Sequence, residues 1–431
     1  MARRLTFEDP GFFAAFATLV EERRETSPAV EDTVTQIIAA VRREGLPALL
    51  RISRQLDAAR LEEADLRVSA EEIAAGAALC PPEVRDALFL AARRIGEYHA
   101  RQRPADAWFK DEDGLELGWR WTPLDAVGIY VPGGRAAYPS SLLMNAVPAV
   151  IAGVTRIAMV TPPGHLSPAV LAAAQIAGVN EIWRVGGAQA VAALAYGAGP
   201  IAPVDKIVGP GNAYVSTAKR QVYGAVGIDA LAGPSEIVVV ADAANDPRWI
   251  AVDLLSQAEH DPVAQSVLIT DDTGFAEAVA AAVEAEIATL ATQDAARMSW
   301  DTNGAIIVAP RSRTAELVNA LAPEHLQLAI DDPKVLAGQV RHAGAIFMGR
   351  LTPEAIGDYI AGSNHVLPTS RSARYSSGLS LFDFIKRTSL IACDETSLET
   401  LGPATVALAD AEGLSAHARS VAQRLGQGAI R

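Results

Sequence analysis

Ala126-Val127-Gly128-Ile129-Tyr130-Val131 is a short apolar run, and Pro132-Gly133-Gly134 closes it. An apolar run of this length that ends in proline and glycine predicts a buried strand followed by a tight turn. From there to residue 222, helix-like and strand-like segments alternate along the chain. Because parallel strands need crossover connections, this alternation predicts a parallel sheet with helices on both faces.

Two series of such segments are present. In the first, helices are predicted over 140–152, 167–177, 188–195 and 212–222, and strands over 156–160, 181–185 and 206–208. The second has predicted strands at 237–240, 267–269, 306–309, 326–330 and 345–348, and helices at 249–259, 275–290 and 314–322. The fold class is therefore predicted as α/β, with the first unit inserted in the second.

The two ends of the chain have a different texture. Apolar residues at three- and four-residue spacing across 30–101 predict a helical lead-in. Beyond Ser377 the alternation stops, and a helix is predicted over 403–425. We therefore predict a larger domain made of 1–125 with 235–376, an inserted domain at 126–234 and a helical tail at 377–431.

The composition excludes several classes of protein and partner. The chain has 431 residues, which at roughly 100–200 residues per domain predicts more than one domain. Its net charge of −14 repels phosphate backbones, so no nucleic-acid partner is expected. Cys80 and Cys393 form neither a disulfide framework nor a CxxC pair, which suits the reducing cytoplasm. Residues 146–154, the most apolar stretch, are too few to span a bilayer, so no membrane association is expected.

Glycine-rich turns follow three of the predicted strands, at 132–134, 186–187 and 209–211. Glycine lets the backbone approach a ligand closely, and the next helix offers N–H groups to an anion such as a pyrophosphate. Each turn alone is more often a plain strand-to-helix connection. A GxGxxG fingerprint is missing, because Tyr214 stands where the third glycine belongs.

Two polar pairs have the spacing of a ligand-binding or catalytic site. Gln257 and His260 lie three residues apart near the end of a predicted helix, so both side chains face one side and can bind one metal ion or substrate. Glu324 and His325 are adjacent at a predicted helix-to-strand junction, a pairing suited to general acid–base chemistry. From spacing alone, ordinary polar residues at an exposed helix end are the more frequent explanation for Gln257 and His260. A solvated turn is at least as common an explanation for Glu324 and His325.

Further polar groups lie nearer the C-terminus. Asp358 precedes a polar run at 362–369, and Glu412 and His417 lie five residues apart. Loops with such composition are often functional, but their polar groups also satisfy one another in ordinary turns. Taken singly, Glu412 and His417 read as surface residues of a helix.

Taken together, seven segments resemble the histidinol dehydrogenase family, in order and over nearly the whole chain. They are 127–134, 209–212, 232–236, 256–260, 322–325, 362–369 and 412–417. The resemblance implies two Rossmann-like domains, of which the inserted one binds NAD without the usual glycine fingerprint. It also implies a four-electron oxidation of L-histidinol to L-histidine through L-histidinaldehyde, with two NAD+ and one bound zinc, in the last steps of histidine biosynthesis.

The resemblance also implies roles for individual residues. The implied zinc ligands are Gln257, His260, Asp358 and, from the partner subunit of a homodimer, His417. Substrate-binding positions are implied at Ser235, Gln257, His260, His325, Asp358, Glu412 and His417. Positions that hold NAD are implied at Tyr130, Gln189 and Asn212.

The implied mechanism assigns catalysis to Glu324 and His325. His325 takes the alcohol proton, Glu324 deprotonates the water that adds to the aldehyde, and zinc orients the substrate rather than generating a hydroxide. Two alternatives stay open: a dehydrogenase of another small amino- or sulfo-alcohol, and a zinc hydrolase. Glu412 and His417 favour histidinol, whereas the hydrolase lacks an HExxH helix and leaves the glycine-rich unit unexplained.

Overall fold

The structure is a computed structural model that describes residues 2–21, 28–57, 61–133, 138–231 and 233–426. Gly134 and Ala232, which belong to two of the quoted segments, lie outside the described residues. The chain forms two compact units: the sequence up to Gln102 with Leu124–Phe384, and Arg103–Pro123 with the sequence from Ile385 onward. The predicted boundaries of the inserted domain fall inside the first unit and stay predictions.

The strands of the described residues are β1 (Arg3–Thr6), β2 (Ala107–Lys110), β3 (Glu116–Pro123), β4 (Ala126–Tyr130), β5 (Arg156–Thr161), β6 (Glu181–Arg184), β7 (Lys206–Val208), β8 (Gly227–Ile228), β9 (Glu236–Ala241), β10 (Gln265–Thr270), β11 (Ala305–Val308), β12 (His325–Ala329), β13 (Ala345–Met348) and β14 (Ile385–Ala392). The helices are α1 (Phe12–Glu21), α2 (Pro28–Glu44), α3 (Leu46–Leu56), α4 (Glu63–Leu66), α5 (Ala70–Ala78), α6 (Pro82–Ala100), α7 (Pro139–Ala152), α8 (Pro168–Ala177), α9 (Gly187–Tyr196), α10 (Ala213–Val222), α11 (Pro247–Ala258), α12 (Thr273–Ile287), α13 (Gln293–Asn303), α14 (Thr314–Leu321), α15 (Pro333–Ala337), α16 (Glu354–Tyr359), α17 (Glu395–Ala411) and α18 (Ser415–Arg424). None of these helices combines the length and the apolar character needed to cross a bilayer.

The first unit contains two parallel sheets. One has six strands in the order β1-β11-β10-β9-β12-β13, and every neighbouring pair is parallel. The other has five strands in the order β6-β5-β4-β7-β8, again all parallel. Because β1 and β9 belong to the six-stranded sheet and β4–β8 lie between them in the chain, one sheet is inserted in the other. The predicted fold class is thereby confirmed.

Apolar burial explains why β4 lies at the centre of its sheet. Val127 and Ile129 are fully buried, and α7, which follows the turn, is buried along most of its length. The strand order reverses at β4, since the chain moves outward through β5 and β6 and then returns to β7. Such a switch point opens a crevice at the carboxyl ends of the strands, where ligands of open α/β sheets usually bind.

Local signals set the helix ends that surround this sheet. Ser167 caps α8 as predicted, its Oγ accepting from the backbone N–H of Val170 at 3.3 Å, and Pro168 takes the first helical position. Gly178 ends the same helix in the left-handed conformation, which glycine adopts at little cost. Helix α8 therefore begins and ends within one residue of its prediction.

Within the described residues, the second unit contains three strands, β2, β3 and β14, and the sequence predicted none of them. Strand β14 pairs antiparallel with β3, which also pairs antiparallel with β2. The eight residues of β14 are intermediate or exposed, so they show no buried alternating pattern to detect. The helix predicted over 403–425 is in fact α17 and α18, and α17 begins at Glu395 and continues through Pro403.

Candidate active site

The site is built where two strands of the six-stranded sheet begin. His325 is the first residue of β12 and Glu236 the first of β9, and these strands are neighbours in parallel register. Glu324 directly precedes β12, and Ser235 directly precedes β9. The pair Glu324–His325 therefore lies at the amino ends of the strands, at the helix-to-strand junction that the sequence predicted.

The ring of His325 is buried among three carboxyl groups. Its Nδ1 lies 3.1 Å from the carbonyl oxygen of Glu236, and this contact assigns the proton of the neutral ring to Nδ1. The same atom is 3.5 Å from Glu354 Oε1 and 3.6 Å from Glu324 Oε2. His325 Nε2 has no hydrogen-bond partner among the described residues and lies 3.7 Å from Asp358 Oδ1. The atom suited to accept a substrate proton is thus left available.

Burial and charge shift the pKa of both central residues. Burial raises the pKa of Glu324 to about 8, although His325 and the backbone N–H of Glu236 oppose the rise. That N–H donates to Glu324 Oε2 at 2.9 Å and fixes the carboxyl group. Burial also disfavours the charged imidazole, but the surrounding carboxyl groups outweigh it and raise the pKa of His325 to about 10.

Glu354 is a site residue that the sequence analysis missed. It is almost fully buried, and burial raises its pKa to about 7 against the attraction of His325. Glu354 and Asp358 are four residues apart on α16, so they lie on one face of that helix. Ligand atoms of His325, Glu354 and Asp358 all lie within 4.8 Å of one another. The i, i+4 spacing was the signal in the sequence that could have found Glu354.

Three of the four predicted zinc ligands lie in the first unit and close together. Gln257 lies in the last turn of α11 and is fully buried, and its Nε2 is 3.4 Å from His260 Nδ1. Burial alone would raise the pKa of Asp358, but the imidazoles of His325, His365 and His260 hold it below its usual range. The imidazole of His260 is thus one of three that act electrostatically on Asp358.

Several oxygen and nitrogen atoms at this site suit a cation. Within the described ranges, Gln257 Oε1, His325 Nε2 and Glu354 Oε1 are buried without a hydrogen-bond partner. Amide oxygen, imidazole nitrogen and carboxylate oxygen all bind zinc. The donor set therefore fits a metal ion, and the carboxyl groups also fit an ammonium group.

The remaining predicted residues of the substrate site are placed as follows. Ser235 is half-buried, and its carbonyl oxygen accepts from the backbone N–H of Gln265 at 3.0 Å. Glu412 directly follows α17 and His417 lies in the first turn of α18. Both are exposed and both belong to the second unit. The structure of the single chain thus leaves the roles of Glu412 and His417 as predictions.

The predicted NAD positions cluster at the carboxyl edge of the five-stranded sheet. The hydroxyl of Tyr130 accepts from the backbone N–H of Gly187 at 3.0 Å, and burial raises its pKa to about 12. Gln189, in the first turn of α9, is fully buried, and its Oε1 lacks a hydrogen-bond partner in the described chain. Asn212 caps α10 through its Oδ1, which leaves its amide N–H groups to donate. A buried acceptor, an amide donor and two helix N-termini fit a dinucleotide.

The sequence model of the histidinol dehydrogenase family matches residues 20–425. The chain belongs to the histidinol dehydrogenase family. Histidinol dehydrogenases are NAD-dependent oxidoreductases, and zinc is a general property of the family.

Individual relatives agree over their whole length. The chain is 65% identical to the histidinol dehydrogenase of Caulobacter vibrioides, covering 99% of this chain and 100% of the relative. It is 59% identical to that of Rhodospirillum rubrum, with coverage of 99% and 100%. The crystal structure of histidinol dehydrogenase from Elizabethkingia anophelis matches with a TM-score of 0.93 at 33% identity, covering 99% of this chain and 98% of that one.

A more distant structural match shows the fold alone. An acetylating aldehyde dehydrogenase from Geobacillus thermoglucosidasius matches with a TM-score of 0.50 at 13% identity, covering 88% of this chain and 94% of that chain. Members of the histidinol dehydrogenase family therefore share their general architecture with a protein of much lower sequence similarity.

Proposed function

We propose that the chain oxidises L-histidinol to L-histidine through L-histidinaldehyde, and that it performs both oxidations in one site with two NAD+. The observation that carries this proposal is the buried imidazole of His325. Its Nε2 lies beside Asp358 and has no hydrogen-bond partner among the described residues, and its Nδ1 lies beside Glu324. An imidazole next to a buried carboxyl group provides two bases of different strength. The two oxidations need two proton acceptors, one for an alcohol and one for a water molecule.

The protons and electrons balance over the two oxidations. His325 accepts the alcohol proton at Nε2 while a hydride leaves the carbinol carbon, and NAD+ supplies the hydride acceptor in each half-reaction. Glu324 accepts a proton from the water that adds to the aldehyde. His325 returns its proton to the aldehyde oxygen as the hydrate forms, and it then accepts a hydroxyl proton of the hydrate as the second hydride leaves. The third proton is lost by the carboxyl group of the product. The sum is L-histidinol, water and two NAD+ giving L-histidine, two NADH and three protons.

The acidic surroundings of His325 support a cationic substrate. L-Histidinol carries an ammonium group. Glu354 and Asp358 lie beside the imidazole of His325, which is proposed to deprotonate the alcohol group. We propose that Ser235, Gln257, His260, His325, Asp358, Glu412 and His417 bind this substrate. Because the site is buried, an aldehyde held there is protected from loss between the two steps.

We propose that Gln257, His260, Asp358 and His417 of the partner subunit hold zinc, which when bound orients the substrate nitrogens as a template. The orphaned Oε1 of Gln257 and the interaction of His260 with Asp358 support this set. We propose that Tyr130, Gln189 and Asn212 hold NAD. We also propose that the protein is a cytoplasmic homodimer whose two subunits share their active sites. Neither nucleic acid nor membrane is proposed as a partner.

The product of the reaction tests this function directly. Purified zinc-loaded protein, given L-histidinol and excess NAD+, should form L-histidine and about two NADH for each histidine. Other small amino-alcohols and sulfonated diols, tested alongside, should react much more slowly. If no histidine forms, or if another alcohol is turned over faster than histidinol, the proposed function is wrong.

A further inference from the structure

An acidic residue from outside the five-stranded sheet lies at the predicted dinucleotide site. Asp57 directly follows α3, a helix of the N-terminal lead-in, and its Oδ2 accepts from Gln189 Nε2 at 3.3 Å. Burial raises the pKa of Asp57 although His165 opposes the rise, and the Asp57 carboxyl group adds to the effect of burial in raising the pKa of Tyr130. Tyr130 ends β4, His165 follows β5, and Gln189 follows β6. Asp57 therefore sits at the carboxyl edge of three adjacent strands.

This is the place where dinucleotide-binding folds position an acidic residue. In such folds an aspartate or glutamate after the second strand binds the ribose 2′-hydroxyl of NAD, and a 2′-phosphate is rejected there. Here the second strand of the inserted sheet is β5, and residues 162–167 that follow it contain no acidic side chain. The carboxyl group is instead supplied by Asp57, from a different part of the chain.

The neighbours of Asp57 place its carboxyl group where it can accept hydrogen bonds from ribose hydroxyls. The Gln189 amide donates one N–H to the Asp57 carboxylate, while Gln189 Oε1 remains a buried acceptor without a partner in the described residues. A site with two hydrogen-bond acceptors suits the hydroxyl pair of a ribose. A phosphate ester at the same place would face the carboxylate charge at close range.

We propose that Asp57 selects NAD+ over NADP+ by accepting hydrogen bonds from the ribose hydroxyls next to the adenine and by repelling a 2′-phosphate. The inference rests on the proposed function, because it takes the region around Tyr130 and Gln189 as the dinucleotide site. It adds a residue that none of the glycine turns contains and that lies outside the inserted sheet.

Direct binding measurements test the proposal without turnover. Calorimetric dissociation constants for NAD+ and NADP+ should be measured for the zinc-loaded wild type and for the variants Asp57→Asn and Asp57→Ser. We expect the preference for NAD+ to fall by about tenfold or more in both variants, through tighter NADP+ and weaker NAD+ binding. Asp86→Asn, which removes a charge from the exposed face of α6, is the matched control and should keep the wild-type preference.

Asp57→Glu distinguishes charge from shape and covers the case in which the neutral variants fail to fold. Because Asp57→Glu keeps the negative charge, it should still discriminate strongly against NADP+, and circular dichroism should report the folded state of each variant. Three results would overturn the inference. They are an unchanged preference for NAD+ in the neutral variants, equal affinities of the wild type for NAD+ and NADP+, and an affinity of Asp57→Glu for NADP+ that equals its affinity for NAD+. Histidine production by the wild type is a separate readout, so either proposal can fail alone.

Discussion

The imidazole of His325 lies among the carboxyl groups of Glu324, Glu354 and Asp358. With the imidazole charged and the carboxyl groups ionised, the cluster still carries surplus negative charge. Burial makes such a surplus costly, so part of the charge is lost by protonation unless a cation enters. The raised pKa values of Glu324 and Glu354 express this cost. A metal ion or the ammonium group of the substrate relieves it, which couples binding to the ionisation of the catalytic groups.

The rate should therefore depend on pH through His325. The pKa of His325 is raised to about 10, so at neutral pH both ring nitrogens carry a proton and the ring is charged. Only the neutral ring can accept the alcohol proton. We expect kcat/KM for histidinol to rise with pH and to level off once the ring is neutral. A bound cation weakens the influence of the carboxyl groups and moves this midpoint below about 10.

The variant His325→Asn tests the assignment. It should lose the alkaline rise and about 10²–10⁴-fold in kcat, because the general base is removed. Rates of NADH formation across the pH range, on protein whose zinc content is verified, provide the measurement. A full alkaline rise in His325→Asn would assign the titration to another group.

Glu324 should matter most in the second oxidation. Its buried carboxyl group is fixed by the N–H of Glu236 and has a pKa raised to about 8, near the range in which a base works at neutral pH. In Glu324→Gln, we expect oxidation of supplied histidinaldehyde to fall by about 10²–10⁴-fold and oxidation of histidinol to fall less.

The stoichiometry of Glu324→Gln gives an independent readout. NADH formed per histidinol should approach one rather than two, because the aldehyde accumulates. Glu316→Gln, on the exposed side of α14, removes a carboxylate nearby in sequence and should keep the wild-type ratio. Equal losses in both oxidation steps of Glu324→Gln would contradict a role specific to the water-addition step.

At the scale of elements, the turn after β7 depends on a glycine. Gly209 has a φ of +107°, and a Cβ built there would lie 2.3 Å from the carbonyl oxygen of Tyr130. The buried ammonium of Lys219 donates to the carbonyl oxygen of Gly209 at 2.9 Å and pairs with Asp229, which in turn accepts from the N–H of Gly209 at 2.7 Å. The turn that leads into Asn212 is thus fixed from both sides.

The variant pair Gly209→Ala and Gly224→Ala separates steric clash from backbone strain. Gly224 has a similar φ of +102°, but a Cβ there meets nothing within 4 Å. We expect Gly224→Ala to lower the free energy of unfolding by about 1–2 kcal/mol, through the left-handed conformation alone. Gly209→Ala should lower the free energy of unfolding clearly more than Gly224→Ala does, and it should also weaken NAD+ binding. Denaturant unfolding and calorimetry measure the two effects, and equal losses in the two variants would show that the clash is relieved without cost.

The success of sequence prediction differed between elements for physical reasons. Strands β4–β7 and the helices around them were predicted because they are largely buried, so apolar runs and punctuating glycines mark them. The two-residue strand β8 was missed. Strand β14 was missed because its stability comes from pairing with β3 rather than from an apolar face of its own. Pro403 was taken as a helix start, whereas α17 passes through it.

The candidate site was predicted in part. Glu324 and His325 were found at their junction, and Gln257, His260 and Asp358 were chosen through family resemblance. Glu354 was missed because α16 is only six residues long, too short for its polar spacing to stand out. The cap of Asn212 and the contact of Asp57 with Gln189 depend on tertiary placement, which no local pattern reports.

At the scale of the whole molecule, the residues proposed to bind zinc and substrate are divided between the two compact units. Gln257, His260 and Asp358 belong to the first unit, and Glu412 and His417 belong to the second. A homodimer in which the second unit of one subunit completes the site of the other has two equal sites. Each site then contains His260 from one subunit and His417 from its partner.

Mixed dimers of two inactive variants test this arrangement. His260→Ala and His417→Ala should each bind zinc weakly and be nearly inactive alone, because each lacks one proposed ligand. After the two are unfolded and refolded together, half of the dimers are mixed, and a mixed dimer has one site with both histidines intact. Random assortment therefore predicts recovery of about one quarter of the wild-type activity and zinc content. Refolding each variant separately is the control. If the mixture is no more active than the separate variants, the shared-site arrangement is wrong. Either both histidines then belong to a site within one subunit, or one of them is not a zinc ligand.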